Sequence, residues 1–297
     1  MVVRKSPQIG QNLQKPLVMG ILNVTPDSFS DGGNLYVNGR LDPVRAVQRV
    51  AQMIEEGADI IDIGGESSGP GSKDISLEEE LERVIPVLQA IRESIINDGV
   101  SSHLLDDDAL DRTASQAFHA SSSGTCIQKL DQGAFALARA SQPFLISVDT
   151  YKAEVARQAI EVGADMINDV TALRGDEKMV EILAEFEVPV VLMYSKDSTA
   201  RTTRENVQYD NVVATVANFF EERISYGVKL GIARERFIID PGMGAFVSAD
   251  PKYSLEILKR LSELKKFELP ILVGASRKGF IGEVLSSITN YKLRITN

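Results

Sequence analysis

Seven short runs of apolar residues alternate along the chain with longer stretches of helical period, and this alternation restricts the fold more than any other feature. The runs are LVMGILN (17–23), ADIIDIGG (58–65), FLISVDT (144–150), ADMINDV (164–170), PVVLMY (189–194), FIIDPG (237–242) and PILVGAS (270–276). Strands buried on both faces read as near-continuous apolar runs, and a helix between consecutive strands makes the sheet parallel. Helices are predicted at 42–57, with Val44, Ala46, Val47, Val50, Ala51 and Ile54 on one face; at 76–95, where Ser76 and Glu79 stand at capping-box spacing; and at 152–163, ended by glycine. Gly-Ala-Asp recurs between a helix end and a strand, in EEGADIIDI and EVGADMIND, which argues for one repeated βα architecture over two unrelated domains. The expected fold is therefore α/β, a (β/α)8 TIM barrel forming a single domain over 1–297. A closed barrel takes eight strands, and no apolar run follows 276, so the last βα unit is expected to be lacking.

Two segments break the rhythm. Residues 99–142, rich in Ser, Ala and Asp, stand before the third strand where a short loop would suffice, and are read as a partly disordered insertion. His103, His119 and Cys126 all fall inside it and are read as surface-loop residues, not metal ligands. The ending ITNYKLRITN (288–297) is an atypical tail. Composition narrows the partners. Forty-two acidic against thirty-two basic residues give a net charge of −10, which disfavours nucleic acid or an anionic membrane as the main partner. No apolar stretch approaches the roughly 20 residues of a membrane span. One cysteine excludes an internal disulfide, and the polar start MVVRKSPQIGQNLQKP has no apolar signal segment, so the cytoplasm is the expected compartment.

In parallel α/β folds, ligands are handled at the carboxyl ends of the strands. Those ends carry Asn23; Asp62; Asp149; Asn168 and Asp169; Met193 and Tyr194; Asp240; and Ser276, Arg277 and Lys278. A strand-end Asp taken alone reads first as a helix N-cap. Polar groups at seven ends together read as a site. Asp149, Asn168, Asp240 and Lys278 would offer acceptors, an amide and a cation, which suits a flat heterocycle with an amidine-like edge and a carbonyl, a pterin or a purine. NVTPDSFSDGG (23–33) is too long for a turn and reads as a lid over a second substrate. GGESSGPGSK lacks phosphate-loop spacing, whereas GASRKGFIG sets a serine and two cations just before a helix start, where an anion is favoured.

Taken in order, MGILNVTPDSFSDGG, GADIIDIGGES, PFLISVDTYKAEVA, GADMINDV, DPGMG and GASRKGFIG resemble the dihydropteroate synthases, over about 16–98 and 143–287. The resemblance implies a (β/α)8 barrel that joins 7,8-dihydropterin-6-ylmethyl diphosphate to p-aminobenzoate and releases diphosphate, assisted by Mg2+. It implies a pterin pocket of Asp149, Asn168, Asp240 and Lys278, lined by Met193, with Arg277 and Thr25 also in the binding surface. It implies Asn23 near the diphosphate and the metal, Asp31 stabilising a cation-like path, Phe29, Pro70 and Ser276 around p-aminobenzoate, and Ser68 as a further substrate-binding hydroxyl. Asp31, Asp149 and Lys278 are the implied catalytic residues, and a homodimer is the implied assembly. The chain also departs from the family pattern. Ser68 and Gly69 stand where the family has threonine and arginine, Tyr194 where a histidine is common, and Ala245, Phe246 and Val247 follow DPGMG. Nothing corresponds to the Arg-x-His that ends the family's last strand, and losing such donors weakens polyanion binding by roughly 1.5–3 kcal/mol per charged hydrogen bond. Two alternatives accompany this reading: a pterin-binding barrel without activity, and a methyltransferase acting on methyltetrahydrofolate.

Overall fold

A computed structural model describes residues 16–26, 35–97 and 144–286. The expected insertion 99–142, the tail 288–297, and Phe29 and Asp31 of the first loop lie outside the described residues. In chain order the elements are β1 (Met19–Asn23), β2 (Tyr36–Val37), β3 (Arg40–Leu41), α1 (Pro43–Glu55), β4 (Ile60–Gly64), α2 (Leu77–Asn97), β5 (Leu145–Asp149), α3 (Ala153–Val162), β6 (Met166–Asp169), α4 (Met179–Phe186), β7 (Val190–Met193), α5 (Val212–Lys229), β8 (Phe237–Asp240) and α6 (Pro251–Lys259). Residues 279–286 are also helical. Six strands form one parallel sheet in the order β1-β4-β5-β6-β7-β8, each trimmed from its predicted span by up to two residues at either end. Strand neighbours in space are therefore neighbours in the main sequence, as right-handed βα units require.

The seventh predicted strand, 270–276, is the difference. It pairs only through Ile271, bridged to Ile239, with Ile239 N–H donating to Pro270 O at 3.0 Å and Leu272 N–H to Ile239 O at 2.9 Å. Beyond Leu272 it leaves the ladder. Among the described residues no strand lies on its outer side, so its backbone is held from one side only, and β1 is likewise a sheet edge. The inward-facing Ile21 of β1 is 48 % exposed, the mark of a barrel wall that is open there.

Two apolar cores follow from the strand alternation. Side chains pointing out of the barrel, among them Ile61, Ile63, Ile146, Val148, Ile167, Val190 and Leu192, pack with the helix faces. Ala46, Val47, Val50, Ala51 and Ile54 of α1 are buried there as the pattern predicts, with Val44 at the margin. Inside the barrel a smaller plug of Ile60, Met166, Val191 and Ile238 closes the lower half, with Leu17, Met19, Leu145 and Leu272 against it.

The repeated Gly-Ala-Asp has a structural use. Gly57 and Gly163 carry φ of +103° and +121°, ending α1 and α3 in conformations that favour glycine. The Asp that follows reaches the base of the neighbouring strand: Asp59 Oδ2 accepts from Val18 N–H at 2.9 Å, and Asp165 Oδ2 accepts from Ile146 N–H at 2.7 Å. Arg92 of α2 pairs with the same Asp165 oxygen at 2.6 Å and also bonds Gly163 O. Ser76 Oγ accepts from Glu79 N–H at 3.1 Å and so caps α2, as its spacing predicts.

Candidate active site

Strand register gathers the predicted residues. Asn23, Gly64, Asp149 and Asn168 are consecutive partners across β1, β4, β5 and β6, so they form one row on the inner face. Two residues further up β7 and β8, Met193 pairs with Asp240 on that same face. Gly64 makes room in the row. A methyl on it would lie 3.5 Å from Asn23 Oδ1 and 3.7 Å from Asp149 Oδ2, so these two groups from flanking strands converge over its backbone.

One layer below, Asp62 and Ser147 also face inward. Asn168 Nδ2 donates to Asp62 Oδ2 at 3.0 Å, which fixes the amide plane. Asp62 Oδ1 and Ser147 Oγ are buried without a well-formed hydrogen bond, and the Ser147 hydroxyl lies near enough to Asp62 to ease its charge. Above the apolar plug, then, the interior becomes a polar ring, and the change takes place within single strands. The adjacent Asp169 points the opposite way and serves the backbone: its carboxylate accepts from Thr171 N–H at 2.8 Å, Thr171 Oγ1 at 2.6 Å and Leu173 N–H at 2.7 Å. Of the pair at the end of β6, only Asn168 belongs to the site.

Burial raises the acids of this ring. Asp149 is pushed well above the carboxylate range by desolvation, then by the charges of Asp62, Glu80, Asp169 and Glu66. Burial also pushes Asp62 up. Asp240 rises to about 6, desolvation outweighing the Gly242 N–H bond and the Lys278 charge. The cause of its placement is local. Gly242 has a φ of +66°, donates its N–H to Asp240 Oδ1 at 2.8 Å, and passes so close to Tyr194 that a Cβ would stand 2.3 Å from that residue's carbonyl oxygen. Only glycine fits there. Lys278, its charge disfavoured by burial and supported by Asp240, bonds Met243 O at 3.2 Å and lies 4.7 Å from the centre of the Phe246 ring.

The other predicted residues are placed less tightly. Thr25 is buried just past β1. Ser68 is half-buried on the loop after β4, while Pro70, Ser276 and Arg277 are exposed on their loops. With Phe29 outside the described residues, the expected p-aminobenzoate slot is represented by Pro70 and Ser276 alone. Tyr194 turns from the site toward α5, its hydroxyl 3.1 Å from that of Tyr209 and its ring edge-on to Phe219.

Three features escaped the sequence reading. Ser147, which shares a layer with the Asp62 already placed at a strand end, was legible as a polar residue interrupting an apolar strand two positions below its end. The Asn38-Gly39 pair, with φ of +52° and +77°, turns β2 into β3 and is a strong hairpin signal. That hairpin anchors the first loop, since Tyr36 Oη donates to Val24 O at 3.0 Å and Val24 N–H to Gly64 O at 2.9 Å. The third is a charge network above β4: Lys152 Nζ contacts Glu66 and Glu80, each at 2.6 Å, and Arg201 pairs with Glu66 and, at 3.0 Å, with Asp74.

The model of the pterin binding enzyme family matches residues 19–101 and 133–296. The chain is 40% identical over 275 residues to the dihydropteroate synthase of Escherichia coli, covering 93% of this chain and 78% of that protein. The chain belongs to the pterin-binding enzymes of the dihydropteroate synthase family. Among solved structures of this family it is similar to the Xanthomonas albilineans dihydropteroate synthase with 4-aminobenzoic acid, at a TM-score of 0.67 and 36% identity over 92% of this chain and 77% of that one. The Yersinia pestis dihydropteroate synthase with a sulfonamide drug complex aligns at a TM-score of 0.71 and 32% identity, over 95% and 82%. The fold is thus that of the family's barrel. Among the described residues no helix is long and apolar enough to cross a membrane, and no group of three His, Cys, Asp or Glu side chains could by itself hold a metal ion.

Proposed function

We propose that the chain acts as a dihydropteroate synthase, condensing 7,8-dihydropterin-6-ylmethyl diphosphate with p-aminobenzoate to give 7,8-dihydropteroate and diphosphate. The observation that supports this most is the polar ring above the apolar plug, in which Asn23, Asp149, Asn168, Met193 and Asp240 share one face of the sheet. A flat ring standing on the plug meets acceptors and donors at its edges.

In this reading Asp240, ionised above about pH 6, accepts from the amino and ring N–H groups of the pterin's amidine edge. Lys278 donates to the ring carbonyl. Asn168, held by Asp62, offers its remaining amide capacity to the ring. Asp149, whose neutral form burial favours, meets the ring nitrogens with a carboxyl that can donate to a lone pair as well as accept. The reaction breaks the bond between the 6-methylene carbon and a phosphate oxygen and forms one from that carbon to the aniline nitrogen, which then releases a proton. The aniline is already nucleophilic, so charge stabilisation matters more than a strong base. Asp31, in the first loop, is the residue proposed to stabilise the cationic methylene, Phe29, Pro70 and Ser276 to flank the amine, and Ser68 to offer a hydroxyl to the substrates.

Mg2+ is proposed to arrive on the substrate phosphates. A site with few protein ligands fits an ion that keeps several waters and is bound mainly through phosphate, and Asn23 Oδ1, over Gly64, is the protein oxygen that would hold it. When bound, the ion neutralises charge on the departing diphosphate. A homodimer and a cytoplasmic location, implied by the resemblance, are carried as further proposals, and light scattering on the purified chain tests the first. The function is tested with pterin diphosphate, labelled p-aminobenzoate and Mg2+. Labelled dihydropteroate that disappears in Asp240→Ala supports it, and a folded wild-type chain giving no product rejects catalysis.

A further inference from the structure

Between the loop after β4 and the loop after β7 lies a narrow cleft lined by Ser67, Ser68, Tyr151 and Arg201 and by the carboxylates Glu66, Glu80 and Asp149, the first two of which are neutralised by Lys152. Arg201 enters it with its guanidinium only partly used. Nη2 donates to Glu66 and, at 2.7 Å, to Lys73 O, whereas Nε and Nη1 are buried with no hydrogen-bond partner. Leaving buried donors of a charged group unmade is expensive, and a guanidinium presents its N–H groups as a planar fork suited to paired oxygens. Gly69, in the facing loop, brings no side chain of its own, and Lys152, another cation of this rim, is already bonded to Glu66, Glu80 and Ile75 O.

The loop holds Arg201 in place before any ligand arrives. Thr202 N–H donates to Ser68 O at 3.2 Å, stitching the two loops together, and Thr202 Oγ1 donates to Ala245 O at 2.9 Å. Lys196 Nζ bonds Asp197, Thr202 and Thr203 at the base of the same loop. A fork fixed in this way loses little freedom on binding, which raises the affinity obtained from each contact.

We infer that Arg201 is an oxyanion-binding residue, its Nε and Nη1 edge receiving, beside the Ser67 and Ser68 hydroxyls, the charged end of a substrate. This rests on the proposed function for which substrate that is. Both substrates are anionic, and the shared chemistry is a pair of oxygens on one phosphorus or one carboxylate carbon.

Calorimetric titrations of the full chain separate the possibilities, using inorganic diphosphate, 6-hydroxymethyl-7,8-dihydropterin and p-aminobenzoate as probes on wild type, Arg201→Gln and Arg201→Lys. The expected result is that Arg201→Gln weakens either diphosphate or p-aminobenzoate by about 10- to 100-fold, leaves the uncharged pterin alcohol unchanged, and is partly rescued by lysine. Weakening of diphosphate assigns the phosphate end, and weakening of p-aminobenzoate assigns the carboxylate. Equal weakening of all three probes, or of none, overturns the inference, the first outcome marking Arg201 as a purely structural tie to Glu66 and Asp74. If wild type binds no pterin, the functional reading fails, yet an Arg201-dependent diphosphate affinity still upholds the oxyanion role.

Discussion

At the amino-terminal end of the sheet, Asp59 and Asp165 direct carboxylate oxygens to backbone N–H groups of neighbouring strands, and Arg92 locks one of them from α2. Among the described residues, Asp62 Oδ1, Glu80 Oε1, Ser147 Oγ and two nitrogens of Arg201 at the carboxyl end are buried without a well-formed hydrogen bond, against Arg92 Nε at the other end. The same residue types thus do opposite things at the two ends. Below, each carboxylate fastens one strand to the next and gains stability from it. Above, the groups are left short of partners, a cost that persists in a fold only where something else fills the gap. Asp169 and the Lys152 network fasten loops at the upper mouth too, but the inward-facing polar side chains gather there, as in parallel α/β barrels generally.

Substitutions that cross this division test it. The largest effect is expected for Gly242→Ala, which puts a Cβ against the Tyr194 carbonyl in a left-handed backbone position. It should cost about 3 kcal/mol or more, and because Gly242 N–H orients Asp240 it should lower pterin affinity as well, so urea denaturation and pterin titration should move together. Asp165→Ala leaves Arg92 and Ile146 N–H without their shared acceptor and should destabilise by about 2–4 kcal/mol. Its kcat and KM, measured at a temperature where the variant is folded, should match wild type; a large kcat loss there would breach the division. Ser147→Ala should show the smallest effect, a change in stability within about 1 kcal/mol, since its hydroxyl makes no well-formed bond and only eases the charge of the neighbouring Asp62. A clear destabilisation would mean that this hydroxyl fastens structure.

Most of the fold was legible because its strands are apolar on both faces and its helices on one. Six of the seven runs became strands at nearly the expected positions. The seventh, 270–276, has the same composition, but it joins β8 by a single bridge at Ile271, and a sequence run does not show how far the pairing of its backbone extends. The site was legible where chemistry is confined to strand ends: Asn23, Asp149, Asn168, Met193 and Asp240 follow from alternation and register. It was less legible in the loops. Lys152, Glu66, Glu80 and Arg201 lie in stretches that read as ordinary solvated charge, and their contacts join residues 72 to 135 positions apart. Likewise Asn168 and Asp169 look equivalent in the sequence, and only the inward or outward turn of the strand separates a ligand group from a backbone cap.

The central claim is that the carboxyl-end ring gives up stability for binding, and Asp240 carries it most directly. Burial moves its pKa from 3.8 to about 6, so the unfolded chain ionises it more readily than the folded one. The charge therefore costs the unliganded fold up to about 3 kcal/mol at pH 7.5, a cost that fades as pH falls through 6 toward 4. Urea denaturation of wild type and Asp240→Asn from pH 4 to 8, without ligand, measures this. Asp240→Asn is expected to be the more stable protein at pH 7.5, by a margin that closes toward pH 4, with pterin stabilising wild type alone. An Asp240→Asn protein less stable than wild type throughout that range would show instead that Asp240 fastens the barrel, and would contradict the account.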